Sequence, residues 1–214
     1  TALAASIAPG DILVTGVSAT GHYVAAVSPV TGTVQVISSG GLIVNPWTVA
    51  QGPDKFVYVG VPASIIRVNP ATGSQNVFST NLSVNGMMSL SVMILHSNGD
   101  FYYTSAGKVV RVNSTTGAQS LITPTSVDAR GIVEGRDHQL YVASELNANT
   151  LNVVAVQRVD PNTGAASPVA TGAIGKTRGI AFDMRDSLYV ETFNERGVFR
   201  INYTNGTLGY LTGA

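Results

Sequence analysis

The chain has 214 residues, 44% hydrophobic and only 11% charged, with twelve basic residues balancing twelve acidic ones. A neutral chain this far below the ~25% charged residues of ordinary soluble domains has no electrostatic footprint for nucleic acid or an anionic membrane surface. It has no cysteine, which excludes disulfides, thiolate catalysis and zinc–sulfur sites.

No apolar run approaches the ~18 residues of a membrane-spanning helix, so no membrane partner is expected. The start "TALAASIAPGD", without an initiator Met, fits a removed signal peptide or an excised domain. With low charge and abundant Thr, Ser, Asn and Gly, it leads to the expectation of a secreted or extracytoplasmic protein.

Taken in order, "ALAASIA" reads as a strand, followed by a polar turn, "GDILVTG", and the hairpin "VAAVSPVTGTVQVIS". The same succession then returns four times. The second copy is "WTVAQ", "DKFVYVG" and "IIRVNPATGSQNVFS"; the third is "SVMILH", "GDFYYTS" and "VVRVNSTTGAQSLIT". The fourth is "RGIVE", "HQLYVAS" and "VQRVDPNTGAASPVA"; the fifth is "RGIAF", "DSLYVET" and "VFRINYTNGTLGYLT". Apolar residues alternate within each piece, which is the period of a strand and not of a helix. The turn glycines Gly32, Gly73, Gly117, Gly164 and Gly206 lie 41, 44, 47 and 42 residues apart. A period in the low forties filled with short strands predicts a β-propeller.

The expected fold is therefore all-β, a five-bladed β-propeller of four-stranded antiparallel blades in one domain spanning 1–214. The blades fall at about 1–39, 46–80, 88–123, 129–171 and 177–213. The first opens on an inner strand and the last ends on an outer one. No strand is exchanged between the termini, so a closed five-bladed ring, the favoured expectation, would rest on packing of the first blade against the fifth; the alternatives are an excerpt of a larger ring, or self-association through open blade edges in place of a monomer.

The pattern "RGIAFDMRDSLYVET" followed by "GVFRINYTNGT", and "PWTVAQGPDKFVYVG" followed by "IIRVNPATGSQ", resembles the NHL-type and related bacterial propeller repeats over essentially the whole chain. Such repeats serve sensors, scaffolds, lectins and enzymes alike, so the resemblance implies a fold and not an activity. Two departures stand out: "SVMILHSNGD" replaces the usual Gly-Ile-Ala in blade three, and blade one lacks Arg-Val-Asn.

Ligands of propellers gather on the face that carries the blade connections. Trp47, Arg130 and Arg178 hold equivalent places in three blades, each at the start of an inner strand. Two guanidiniums and the only indole around one opening suit a sugar or a carboxylate. Glu145, Glu191 and His22 join them as candidate ligand-binding residues. The plainer reading pairs each Arg with Glu145 or Glu191 to cap the channel.

Arg67, Arg111, Arg158 and Arg200 recur with the repeat and are read as architecture packed between blades. Asp11, Asp54, Asp100, Asp137 and Asp186 are read as turn formers in the polar hairpins. No catalytic constellation, phosphate loop or histidine pair for a metal is found. Glu134 and Asp183 could offer oxygens to a calcium or magnesium ion in the channel, the only cofactor considered.

The leading expectation is a non-catalytic binding module for carbohydrate or protein, at the connection face or in the channel. The alternatives are a propeller enzyme with a divalent cation, or a structural segment of a larger surface or assembly protein. A resemblance to the propeller lyase that opens cyclic antibiotic esters would require channel-facing His and Glu. The matching positions hold Arg130 and Arg178 instead. A lactonase-like hydrolase would need Glu and Asn from several inner strands.

Overall fold

A computed structural model describes residues 7–80, 90–123, 129–144, 154–171, 177–192, 197–202 and 205–213. All regular structure in them is β. The first sheet holds β1 (Ile12–Ser18), β2 (Gly21–Val27) and β3 (Val34–Ser39). The inner strand expected before it lies mostly in residues 1–6, outside the described residues. The second sheet runs β4 (Thr48–Gln51), β5 (Val57–Val61), β6 (Ser64–Val68) and β7 (Gln75–Thr80). The third is β8 (Leu90–Leu95), β9 (Phe101–Ser105), β10 (Lys108–Val112) and β11 (Gln119–Leu121). The fourth is β12 (Ala129–Glu134), β13 (Leu140–Ser144), β14 (Val154–Val159) and β15 (Ala166–Thr171). The fifth is β16 (Thr177–Phe182), β17 (Leu188–Thr192), β18 (Gly197–Asn202) and β19 (Thr207–Gly213). In every sheet the strands lie in sequence order, the arrangement that short hairpin turns impose.

The turn chemistry fixes the register. Each Thr-Gly-type turn places its glycine at φ between 70° and 72°, a left-handed conformation in which a side chain is strained. The polar hairpin before the second strand of each repeat also has one left-handed residue: Gly10, Lys55, Gly99, His138 and Asp186 in turn.

The aspartates of these hairpins take different places around that residue. Asp54 and Asp137 each precede the left-handed residue, Asp186 is itself that residue, and Asp11 and Asp100 follow it. The five are not equivalent, because the backbone conformation and not the carboxylate defines the turn.

The repeated arginines are tied to these turns. Arg67 pairs with Asp54 at 2.6 Å and Arg158 with Asp137 at 2.9 Å, each within its own sheet. Tyr58 and Tyr141 donate their hydroxyls to the same two carboxylates, and Arg67 also lies over the Phe56 ring. The structural role expected of these arginines, heads on carboxylates, holds for Arg67 and Arg158, but the carboxylate lies within the same sheet and not between blades. In the fifth sheet Tyr189 donates to Asp183, which stands where the others have Gly52 and Gly135, and Arg200 donates to Ser187.

The chain packs as two compact units, one of residues 1–101 and 112–119, the other of 102–111 and 120–214. The core of the first is a layer of Val24, Ala26 and Ile37 against Val57, Val59, Ile66 and Val68. The core of the second sets Tyr141, Ala143, Val156 and Ala170 against Leu188, Val190, Phe199 and Ile201. Both are faces of adjacent sheets, built from alternate residues of each strand.

Between sheets the packing is closer than side chains allow. A Cβ at Gly117 would overlap the Phe78 carbonyl, one at Gly164 the Ile122 carbonyl, and one at Gly206 would sit 3.0 Å from the Val169 carbonyl. The turn glycine thus serves two purposes: it supplies the left-handed turn and lets the preceding sheet's outer strand touch the backbone.

Candidate functional site

The connection between β3 and β4, residues 40–47, is described throughout. Its sequence, "GGLIVNPW", contains no ionisable side chain. The side chain of Ile43 is buried in the core, 1% exposed, and pins the segment down. Leu42, Val44 and Trp47 point outward at 43%, 52% and 47% exposure.

Gln75 holds this arrangement from the next sheet. Its amide oxygen accepts from the Leu42 N–H at 2.6 Å, and its nitrogen donates to the Gly40 carbonyl and the Ser38 hydroxyl. The oxygen lies 2.7 Å from where Gly41 would carry a Cβ, and Gly41 is left-handed at φ 59°, so a side chain there would be strained and would displace the Gln75 amide. At the far end the Trp47 N–H donates to the Gly60 carbonyl at 2.9 Å. The result is an apolar, aromatic surface with a fixed backbone. It can bind by desolvation and stacking; it has no group to transfer a proton.

The strand registers place the other predicted residues. Thr48 pairs with Gly60 and Gly131 with Ala143, so Trp47 and Arg130 hold the same repeat position. Arg130 sits at a register shift between Ala129 and Gly131, and Arg178 at one between Thr177 and Ile180. Both are bulge positions, where the pairing alternation is broken. The Arg130 carbonyl accepts from the Thr104 hydroxyl at 2.8 Å; the side chain of Arg178 lies outside the described residues.

Glu191 is exposed on β17, its carboxylate 2.8 Å from where Gly179 would carry a Cβ. Glu145 falls outside the described residues. His22, expected in a loop, is instead a β2 residue paired with Val17, because the turn after β1 is only two residues long.

The two carboxylates considered for a cation are engaged locally. Glu134 bonds His138 Nδ1 at 3.0 Å. Asp183 accepts the amides of Arg185 and Ser187 and the hydroxyl of Tyr189. These bonds, the Ser187 amide foremost, hold the Asp183 carboxyl below the usual carboxylate range. Among the described residues no group of three or more His, Asp or Glu is placed to hold a metal ion.

Sequence reasoning selected Trp47 for its place in the repeat and missed Leu42, Val44 and Gln75. A signal for the glutamine was present: "TGSQ" and "TGAQ" put Gln75 and Gln119 two residues after the turn glycine. Gln119 bonds Ser79 and the Thr80 carbonyl as Gln75 bonds Ser38 and Gly40.

Comparison with solved structures defines the fold class as that of the β-propeller proteins. A virginiamycin B lyase from Staphylococcus aureus, crystallised with quinupristin, superposes with a TM-score of 0.68 at 14% identity over 95% of this chain and 70% of that one. A chain of a nidogen–laminin complex gives 0.73 at 16%, over 95% of this chain and 79% of that one. A streptogramin B lyase gives 0.61 at 16% over 78% of this chain, which spans 54% of that lyase's length. No protein-family model and no curated protein matches the sequence.

Proposed function

We propose that this chain is an exported, non-catalytic interaction module built from NHL-type repeats, and that residues 40–47 form its contact surface. One observation carries the reading: Leu42, Val44 and Trp47 are held outward on a backbone locked by Gln75 and Gly60. Exposed apolar groups normally collapse or are avoided; a rigid display of three of them lowers the ordering cost of binding. The partner is a protein surface, with the apolar face of a sugar ring as the smaller version of the same contact. The likeness to a chain of a nidogen–laminin complex, itself a protein assembly, supports this choice.

Trp47 is the only tryptophan, so its emission reports directly on the site. Candidate proteins and a glycan library are titrated while that emission is followed. Binding should shift it, and Leu42→Ser should weaken binding without altering the melting temperature. Turnover of a bound ligand, or binding that leaves the indole unmoved, would overturn the proposal.

A further inference from the structure

Four turns of the recurring hairpin place a threonine just before the glycine: Thr31, Thr72, Thr116 and Thr163. These hydroxyls share one architectural task. Each accepts the amide two residues on, from Thr33, Ser74, Ala118 and Ala165 in turn, always at 3.3 Å. The fifth turn departs from the pattern, with Asn205 ahead of Gly206. Its Oδ1 does the same work, accepting the Thr207 amide at 3.1 Å. The asparagine meets the turn's requirement with its oxygen alone and brings an amide nitrogen for which the turn has no use.

The same replacement creates Asn-Gly-Thr, the acceptor pattern for an N-linked glycan. The pattern also occurs at Asn81, Asn113 and Asn202. Asn81, and the Thr204 that completes the pattern of Asn202, lie outside the described residues, which leaves Asn113 for comparison. The two differ in what the chemistry needs. Asn205 is exposed, its Nδ2 has no partner among the described residues, and the Thr207 hydroxyl donates to its Oδ1 at 2.7 Å. Asn113 is half-buried, and its Oδ1 accepts the amides of Thr115 and Thr116 and the hydroxyl of Thr116. The hydroxyl that belongs to its pattern, on Thr115, is not on the amide. The next residue is pinned as well, since the Ser114 amide donates to buried Asp100 at 2.9 Å.

The hydroxyl matters because an amide nitrogen is a poor nucleophile. Its lone pair is shared with the carbonyl, and it attacks once a base removes a proton and charge moves onto the oxygen. Two donors from Thr207 already converge on that oxygen, where they stabilise the charge. The turn itself does not need the hydroxyl, since Ala118 and Ala165 hold the same place in the third and fourth repeats. The competing reaction of an Asn-Gly pair, ring closure by the glycine nitrogen, is hindered: the Gly206 N–H is committed to the Asn202 carbonyl at 2.7 Å.

We propose that Asn205 is a glycosylation site, modified on Nδ2 by a sugar carried on a diphosphate. The nitrogen bonds to the anomeric carbon, the bond from that carbon to the diphosphate oxygen breaks, and the diphosphate leaves with the bonding pair. The amide proton goes to the base. This rests on the export half of the reading above, because such an acceptor is used in secreted chains. It does not involve residues 40–47.

The chain is recovered from the medium and from the extract of the cells that make it, and its peptides are mapped by mass spectrometry. Release by a glycan amidase in heavy-oxygen water marks each modified asparagine as a labelled aspartate. The exported chain should carry a glycan at Asn205 and none at Asn113. Thr207→Ala and Asn205→Thr each install a residue that other repeats hold at that place. Both should abolish the glycan with an unchanged far-ultraviolet spectrum, while Thr204→Ala, which removes only the pattern of Asn202, should leave it in place. An exported chain bare at Asn205, a glycan at Asn113 instead, or a Thr207→Ala chain that keeps its glycan overturns this proposal and leaves the export reading standing. A bare chain found only inside the cell overturns both.

Discussion

The hydroxyl of Ser79 donates to the carbonyl of Gly117 at 2.7 Å, and that of Ser38 donates to Gly73 at the same distance. In both cases an outer strand reaches the Thr-Gly turn of the following sheet, and a glutamine from that sheet donates back to the serine. Ser79 is almost fully buried, so Ser79→Ala leaves the Gln119 amide short of an acceptor. The expected cost is about 1–2 kcal/mol, read as a lower urea midpoint with unchanged slope. Adding Gln119→Ala should cost less than its own separate effect, because both substitutions remove one shared bond.

The turn glycines allow a cleaner separation of backbone strain from packing. Gly32 and Gly164 have the same φ of 71°, but only Gly164 abuts a carbonyl, that of Ile122. Gly32→Ala should therefore cost only the left-handed penalty, about 1 kcal/mol. Gly164→Ala adds displacement of a neighbouring sheet and should cost several-fold more, on the scale of about 3 kcal/mol or above. Equal losses in chemical denaturation would show that the close approach is not rigid.

The strands were legible in the sequence because two signals coincide: period-two alternation and a turn glycine at a near-constant spacing. The strand pairs β2–β3, β6–β7, β10–β11, β14–β15 and β18–β19 are the five quoted hairpins. Trp47 was also legible, since its place follows from counting back along the repeat. The destination of the arginine heads was not. Arg67 and Asp54 are thirteen residues apart, and only strand pairing brings Arg67 opposite Tyr58 and the nearby carboxylate. The surface at 40–47 was hidden for a different reason. Three apolar residues in a row look like core, and nothing in "LIVNPW" says that Ile43 turns in while Leu42 and Val44 turn out.

Asp54, Asp137 and Asp183 are among the carboxyls through which acid should loosen the fold. Burial works against ionisation of Asp54, but the Arg67 and Tyr58 hydrogen bonds and the Phe56 amide outweigh it and hold the group below its ordinary range. Burial likewise opposes ionisation of Asp137, and the Gln139 amide and Arg158 overcome it. Asp183 is lowered by the bonds already described. Each folded pKa lies below the unfolded value of about 3.9, so the unfolded chain binds more protons in the interval between them. The stabilisation is present above that value and is lost as pH falls through the folded pKa. Melting temperature should drop steeply below about pH 4, and Asp54→Asn should flatten the drop. An unchanged acid limb in that variant would remove Asp54 from the account.

The alkaline side has the opposite sign. Burial, then the hydrogen bond to Asp54, pushes the Tyr58 phenol up to about 12. A raised pKa stabilises the fold below the unfolded value of about 10, and the contribution disappears as pH rises through the folded one. Burial also raises the Tyr103 and Tyr141 phenols, so ultraviolet titration of the native protein should show several tyrosines ionising late, and Tyr58→Phe should reduce the amplitude of that late step by one phenol. The same variant leaves Asp54 with Arg67 and the Phe56 amide but without the phenol, so its acid limb should shift towards higher pH.

Gln75 decides whether the 40–47 surface is preorganised. One amide group makes three bonds that link Leu42, Gly40 and Ser38 to β7, and the Leu42 bond is the shortest at 2.6 Å. Gln75→Ala removes all three while leaving Ile43 in the core and the Trp47–Gly60 bond in place. Global stability should fall by about 1–2 kcal/mol, since these are hydrogen bonds with partial solvent access. The local consequence should be larger: the Leu42 amide loses its acceptor and should exchange with solvent far faster than its neighbours. If binding depends on a fixed display, affinity should drop with no contact residue altered, mainly through faster dissociation. Hydrogen exchange and binding kinetics on the same variant separate the two effects. Fast exchange with unchanged affinity would mean that the partner orders the segment for itself.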